Sequence, residues 1–135
     1  MLSGDAANTD ASKVKRANIC HRCWTNAVID ASAANFVGGA PCADAKDTVD
    51  IPTGNDCKYI RQTVIFPNCW DGTNLDSPDH KSHVTYAVGG NYGQGGNCPS
   101  THPVRVPQIM YEIQWDLRQF TERGPGSFVY SMNNG

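Results

Sequence analysis

Apolar and polar positions alternate most regularly between Ile109 and Leu117. Ile109, Tyr111, Ile113, Trp115 and Leu117 fall on one side, and Glu112, Gln114 and Asp116 on the other. A period of two predicts a half-buried strand, its apolar side on a core and its polar side open to water or ligand. Pro107 just ahead suits a strand start. Tyr59-Ile60-Arg61-Gln62-Thr63-Val64-Ile65-Phe66 is rich in β-branched and aromatic residues and ends at Pro67, which predicts another strand. Val84-Thr85-Tyr86-Ala87-Val88 alternates and ends at Gly89-Gly90, and Ser127-Phe128-Val129-Tyr130-Ser131 reads as a further short strand. Helical signals are few: Asp10 can cap one short helix over 11–17. Residues 31–56 read as irregular loop. GGNYGQGG, from Gly89 to Gly96, reads as a wide hairpin connection. It lacks the following helix and Lys-Ser/Thr of a phosphate cradle. The pattern predicts a mainly β fold, an antiparallel sandwich-like domain with long loops and little helix. Residues 1–57 form an irregular part held by disulfides, and 58–135 the β core.

Composition fits one loop-rich domain. The chain has 135 residues, 13 Gly and 8 Pro, and its acids are lopsided, with eleven Asp against two Glu. Asp, Gly and Pro favour turns over helix interiors. The net charge is −2 and no basic stripe occurs, so nucleic-acid binding by phosphate neutralisation lacks support. No apolar run approaches the ~20 residues of a membrane-spanning helix.

Six cysteines, at 20, 23, 42, 57, 69 and 98, change the picture. An even number in a chain rich in Gly, Asn and Pro predicts a disulfide framework and an oxidising compartment, hence secretion. Cys20-His21-Arg22-Cys23 offers a zinc alternative, but a second pair at zinc spacing is missing. Connectivity is open. Cys69 with Cys98 is the first choice, because the two flank one polar loop. Closing that loop stabilises by roughly 3–4 kcal/mol on the chain-entropy model. Met1-Leu2-Ser3-Gly4-Asp5 resembles no signal peptide, and the chain stops at a turn signal, Asn133-Asn134-Gly135. Either a leader has been removed or Met1 is an internal methionine of a fragment, and the other end agrees with the fragment reading.

Candidate chemistry concentrates in CWDGTNLDSPDHKSHVTY, Cys69 to Tyr86. Ser77-Pro78-Asp79-His80 opens a single helical turn, with Ser77 as cap and Pro78 at the first helical position. Such a turn brings His80 and His83 to one face, with Asp76 or Asp79 as a third ligand or an orienting carboxylate. His102 lies four residues after Cys98, so the disulfide draws it toward the same place. Three readings compete. A pair among Asp71, Asp76, Asp79 and Glu112 acts as acid and base on a glycosidic bond. Alternatively, His80, His83 and His102 with an Asp hold a divalent metal that activates water. Or the Asp and Asn side chains merely close turns. Trp70 and Trp115 favour a sugar, because an indole face stacks on a sugar ring. Lys81 and Arg105 are the cations placed to pair with Asp76 or Asp79. No GxSxG signature occurs, and a nucleophilic cysteine is disfavoured because every cysteine has a partner available.

FPNCWDGTNLDSPDHKSHVTYAV, followed by CPSTHPVRVPQIMYEIQWD, closely resembles a large fungal family of secreted proteins. The family is a domain of unknown function, number nineteen ninety-six in its series. The resemblance runs from about Lys58 to Tyr130 and is looser before that. Its signature residues fall here on Trp70, Asp71, Asn74, Asp76, Asp79, His80, His83, His102 and Arg105. Members usually carry a signal peptide before this region and a GxHGDxxxGW segment after it. The resemblance thus implies a chain truncated at both ends. Some members carry WSC modules, associated with carbohydrate binding, and this implies an extracellular role near polysaccharide.

The expectation is a secreted protein acting at fungal wall or plant polysaccharide. If it is an enzyme, it cleaves carbohydrate as a hydrolase or lyase. Asp79 and Asp76 are then acid and base, with His80, His83 and His102 orienting them, and no residue is assigned as a metal ligand. Trp70, Asp71, Asn74, Arg105 and Glu112 line the groove. No cofactor is called for unless the His/Asp set binds a divalent metal. The alternative is a non-catalytic glycan-binding or structural wall protein.

Overall fold

The computed structural model describes residues 10, 18–25, 42–52, 56–90 and 95–120. The helix expected over 11–17 and the strand expected over 127–131 lie outside them. The described residues form six strands and no helix: β1 (Ile19–Trp24), β2 (Tyr59–Ile65), β3 (Cys69–Trp70), β4 (Val84–Thr85), β5 (Val104–Arg105) and β6 (Met110–Asp116). They make two three-stranded sheets, in the orders β1-β2-β6 and β4-β3-β5, with every pair antiparallel. The fold is mainly β and antiparallel, as its alternating segments predict.

Pro67 ends β2 where its missing N–H would break the ladder, and the chain passes to the second sheet through Asn68. Asn68 is buried, and its backbone N–H donates to the Thr85 carbonyl at 3.1 Å. Its side-chain oxygen accepts from the Ala87 N–H at 3.0 Å, and its carbonyl from the Val106 N–H at 3.0 Å. The Tyr86 hydroxyl then donates to the Ile65 carbonyl at 2.7 Å, joining the two sheets.

Three disulfides use all six cysteines: Cys20–Cys42, Cys23–Cys57 and Cys69–Cys98. Cys20 and Cys23 stand three apart on a strand, so they point to opposite faces. The CxxC pair therefore binds neither itself nor a common metal. Instead it grips the two ends of one strap, Cys42 on one face and Cys57 on the other. The strap crosses the edge of β1 at Thr48, whose N–H and carbonyl exchange hydrogen bonds with His21 at 3.0 and 2.8 Å. Two of the open backbone groups of that edge are thus paired. Burial pushes the His21 imidazole below its ordinary pKa, and its Nδ1–H donates to the Val49 carbonyl at 2.9 Å.

β6 corrects the expected orientation. Ile109, Tyr111, Ile113 and Trp115 stay 46–63% exposed, and among the apolar positions only Leu117 is buried, beside Cys57 and Ile60. The opposite side is the better covered: Met110 and Gln114 are half-buried on it, and Glu112, though still exposed, turns to the buried Arg61. The cross-strand register explains this: Arg61 lies between Arg22 and Gln114, and Thr63 between Cys20 and Glu112. Arg61 and Arg22 are buried on that side and need carboxylates. Asp47 of the strap meets Arg22 Nε at 2.6 Å, and Glu112 of β6 meets Arg61 Nε at 3.2 Å. Burial lowers the Arg61 pKa, and the Glu112 charge opposes the shift.

Removing one member of a buried ion pair strands the other charge, at about 3–5 kcal/mol. Asp47→Ala is expected to lose stability by that amount in urea denaturation of the oxidised protein. A loss below about 1 kcal/mol would show that the strap does not depend on this pair.

Candidate functional site

The polar loop hangs from β3 at its start and returns at β4. β5 follows the second loop, and the Cys69–Cys98 disulfide ties the two loops at their bases. Within the first loop, Asp71 closes a tight turn. Its Oδ1 accepts from the Thr73 and Asn74 N–H groups at 2.8 and 2.9 Å, and its Oδ2 from Asn74 Nδ2 at 2.8 Å. These donors hold the Asp71 carboxyl down to a pKa of about 2. Gly72 completes the turn with a φ of 82°, which a side chain would strain, and its Cα faces Val104. Trp70 Nε1 donates to the Asn74 carbonyl at 2.5 Å, so the half-buried indole is held by its edge.

Asp79 closes the next turn. One of its oxygens, Oδ1, accepts from the Lys81 N–H, the Ser82 N–H, the Ser82 hydroxyl and the Ser77 hydroxyl, at 3.0, 2.9, 2.9 and 2.8 Å. Those bonds hold its pKa far below the usual carboxylate range, the Ser82 N–H most strongly. The expected helical turn begins, with His80 N–H donating to the Ser77 carbonyl at 2.8 Å. It stops at once, because His80 takes a φ of 54°, in the left-handed region.

The histidines therefore diverge in environment. His80 is 60% exposed and its Nδ1–H donates to Asp76 at 2.7 Å, and Asp76 is itself 55% exposed. This bond lowers the Asp76 pKa and leaves His80 Nε2 as an acceptor. His83 is buried at 5%, with Nδ1 2.8 Å from Ser77 Oγ and 3.9 Å from Asp76. The Asp79 carboxylate can only accept, so the Ser77 hydroxyl proton points to it and His83 Nδ1–H donates to Ser77. The polarity is opposite to that of an activated serine, whose proton a histidine must take. His102 Nε2–H donates to the Ser82 carbonyl at 2.9 Å, so its Nδ1 accepts from the Thr101 hydroxyl at 3.0 Å. It fastens one loop to the other.

His80 and His83 thus both approach the Asp76 carboxylate, at 2.7 and 3.9 Å. The structure gives Asp71, Asp79 and His102 to turns and loop contacts. Arg105 turns to the Gly96 carbonyl, and Glu112 to Arg61 on the inward side of β6. Ser77 and Ser82 carry more of the geometry than the sequence reading assigned to them. In the sequence, Ser77-Pro78-Asp79 marks Ser77 as a helix cap, and its spacing shows nothing of the bonds to His83 and Asp79. Among the described residues, no three His, Cys, Asp or Glu side chains converge as metal ligands. Nor is any helix among them long and apolar enough to cross a membrane.

A carboxylate with a depressed pKa stabilises the fold fully above its unfolded value of 3.8, and the contribution is lost as pH falls through the folded value. Asp79→Asn is therefore expected to melt lower than the wild type at pH 7, and the gap should narrow as pH falls from about 4 toward 2. Thermal melts at both pH values check this. A gap independent of pH would contradict the assignment.

No curated protein and no solved structure matches the chain. A family model does, over residues 1–135, with the description Domain of unknown function (DUF1996), and the chain belongs to that family.

Proposed function

We propose that this domain is a secreted, disulfide-stapled module that binds wall or plant polysaccharide through its polar loops, without cleaving it. One observation carries the choice of binding over cleavage. Asp71 and Asp79 are held ionised by turn hydrogen bonds, whereas a glycosidase needs a carboxyl kept protonated near neutral pH. Asp76 is shifted the same way, by its hydrogen bond from His80, so all three loop carboxyls lie below the ordinary value. The hydrogen bonds of Asp71 and Asp79 hold the loop turns in place before any ligand arrives, which lowers the ordering cost of binding. Trp70 supports a sugar as the ligand, since a half-buried indole fixed beside the polar loop is the side chain that stacks on sugar rings. The three disulfides support secretion, because such bonds persist in oxidising compartments.

A second reading rests on Asp76 and His80. A carboxylate 2.7 Å from Nδ1 of an exposed histidine is the orienting half of a general-base arrangement. On that reading His80 Nε2 takes a proton during carbohydrate cleavage.

Incubation of the oxidised protein with fungal and plant polysaccharides separates the two. The binding reading expects retention on at least one polymer and no soluble oligosaccharides by mass spectrometry. Asp76→Asn should then leave retention within about threefold, the effect of one exposed polar contact. Oligosaccharides that appear with the wild type and vanish with Asp76→Asn would establish cleavage instead.

A further inference from the structure

The outward face of β6 is open although its residues are those of a core. Tyr111, Ile113 and Trp115 follow one another on that face at 63, 46 and 52% exposure, and Ile109 precedes them at 49%. The face is ordered. Phe66 packs edge-on against Tyr111 at 5.4 Å between ring centroids, and Trp115 Nε1 reaches Gln62 Oε1 at 3.5 Å. Gln62 pairs with Ile113, so its amide lies between the two rings along the strand. β6 is an edge strand of its sheet among the described residues.

We infer that this face is a docking site for an uncharged polysaccharide chain lying along β6, separate from the polar loops. The inference rests on the polysaccharide reading above and names a second place where the polymer is held. Area argues against a second copy of this chain. The four side chains leave on the order of 400–500 Å² exposed, taking an aromatic residue at about 150–250 Å². A stable dimer needs about 800 Å² from each partner. A patch of this size is instead typical of a functional surface on a monomer. Charge argues for a neutral polymer. Tyr111, Ile113, Trp115, Gln62 and Val64 share the face, and none is charged. Glu112 is turned inward to Arg61, and Asp116 is held by Arg118 at 2.6 Å. Spacing argues for a chain. Tyr111 and Trp115 stand four residues apart, about 13 Å along a strand. One sugar ring cannot cover both, whereas a run of linked sugars can, with the Gln62 amide meeting a hydroxyl between them.

The test measures retention of the oxidised 135-residue protein on cellulose, xylan, chitin and β-1,3-glucan, beside the double variants Tyr111→Ala/Trp115→Ala and Tyr111→Phe/Trp115→Phe. The phenylalanine variant should melt close to the wild type. The alanine variant loses the Tyr111 contact with Phe66 and should melt somewhat lower, so its wild-type fold is checked by circular dichroism at the assay temperature. The alanine variant is expected to lose retention about tenfold or more, and the phenylalanine variant, which keeps both rings, to retain most of it. A hexasaccharide of the bound polymer should compete and its monosaccharide should not. Wild-type binding with an equally retentive alanine variant overturns this inference alone. Competition by monosaccharide and hexasaccharide alike overturns the extended-chain site. If the wild type binds none of the four polymers, both this inference and the polysaccharide reading fall. Self-association of the wild type in sedimentation, abolished in the alanine variant, overturns it in favour of a second copy.

Discussion

Covalent crosslinks stand where a larger apolar core would otherwise be. Of the eight buried apolar residues among those described, Cys20, Cys42, Cys57 and Cys69 are half-cystines. The three bridges close separations of 22, 34 and 29 residues. Each removes about 3.5 kcal/mol of chain entropy from the unfolded state on the loop-closure model. Two of them fix the strap around β1, and the third fixes the base of the polar loops. Strands of two residues, such as β3, β4 and β5, persist in this setting because Cys69 anchors the central one.

The strap determines more than its own place. By delivering Asp47 to Arg22 it helps to make the inward side of the first sheet a charged interior. Arg61 on the neighbouring strand then takes Glu112 from β6. That pairing sets which side of β6 faces in, and so sends Tyr111, Ile113 and Trp115 outward. An arginine pair inside the sheet thereby yields an aromatic face outside it. Sequence, packing and the proposed binding surface are linked through a few ion pairs whose charges are costly to leave unpaired in a low dielectric.

Much of this was legible in the residues, and the rest was not for definite reasons. β2 and β6 follow from their β-branched and alternating patterns, and Pro67 ends β2 as expected. The Cys69–Cys98 bridge follows from its position around one loop. The facing of β6 was read in reverse, because alternation shows two sides without saying which one meets the core. The deciding charge is Arg61 on β2, beside Arg22 on β1 and a strap with no pattern of its own. The Val84–Val88 strand shrank to two residues, Val84–Thr85, with Val88 in a separate bridge to Asn97. Within the polar loop, the spacing of Asp71 and Asp79 before backbone donors is the mark of turn-closing carboxylates. That bland reading competed from the start with a catalytic one. The geometry of Ser77, linking His83 to Asp79, depends on hydroxyl direction and lies beyond what spacing can tell.

The family to which the chain belongs brings no assigned reaction, so the weight rests on the protonation of the loop carboxylates. Carbon-detected NMR titration of the Asp71, Asp76 and Asp79 carboxyl groups in the oxidised protein addresses that directly. The scaffold account predicts that all three titrate below the ordinary 3.8, Asp71 near 2. A carboxyl among them that holds its proton to pH 5 or above would be a general acid in waiting. That result would contradict the account and make the loop a place of catalysis.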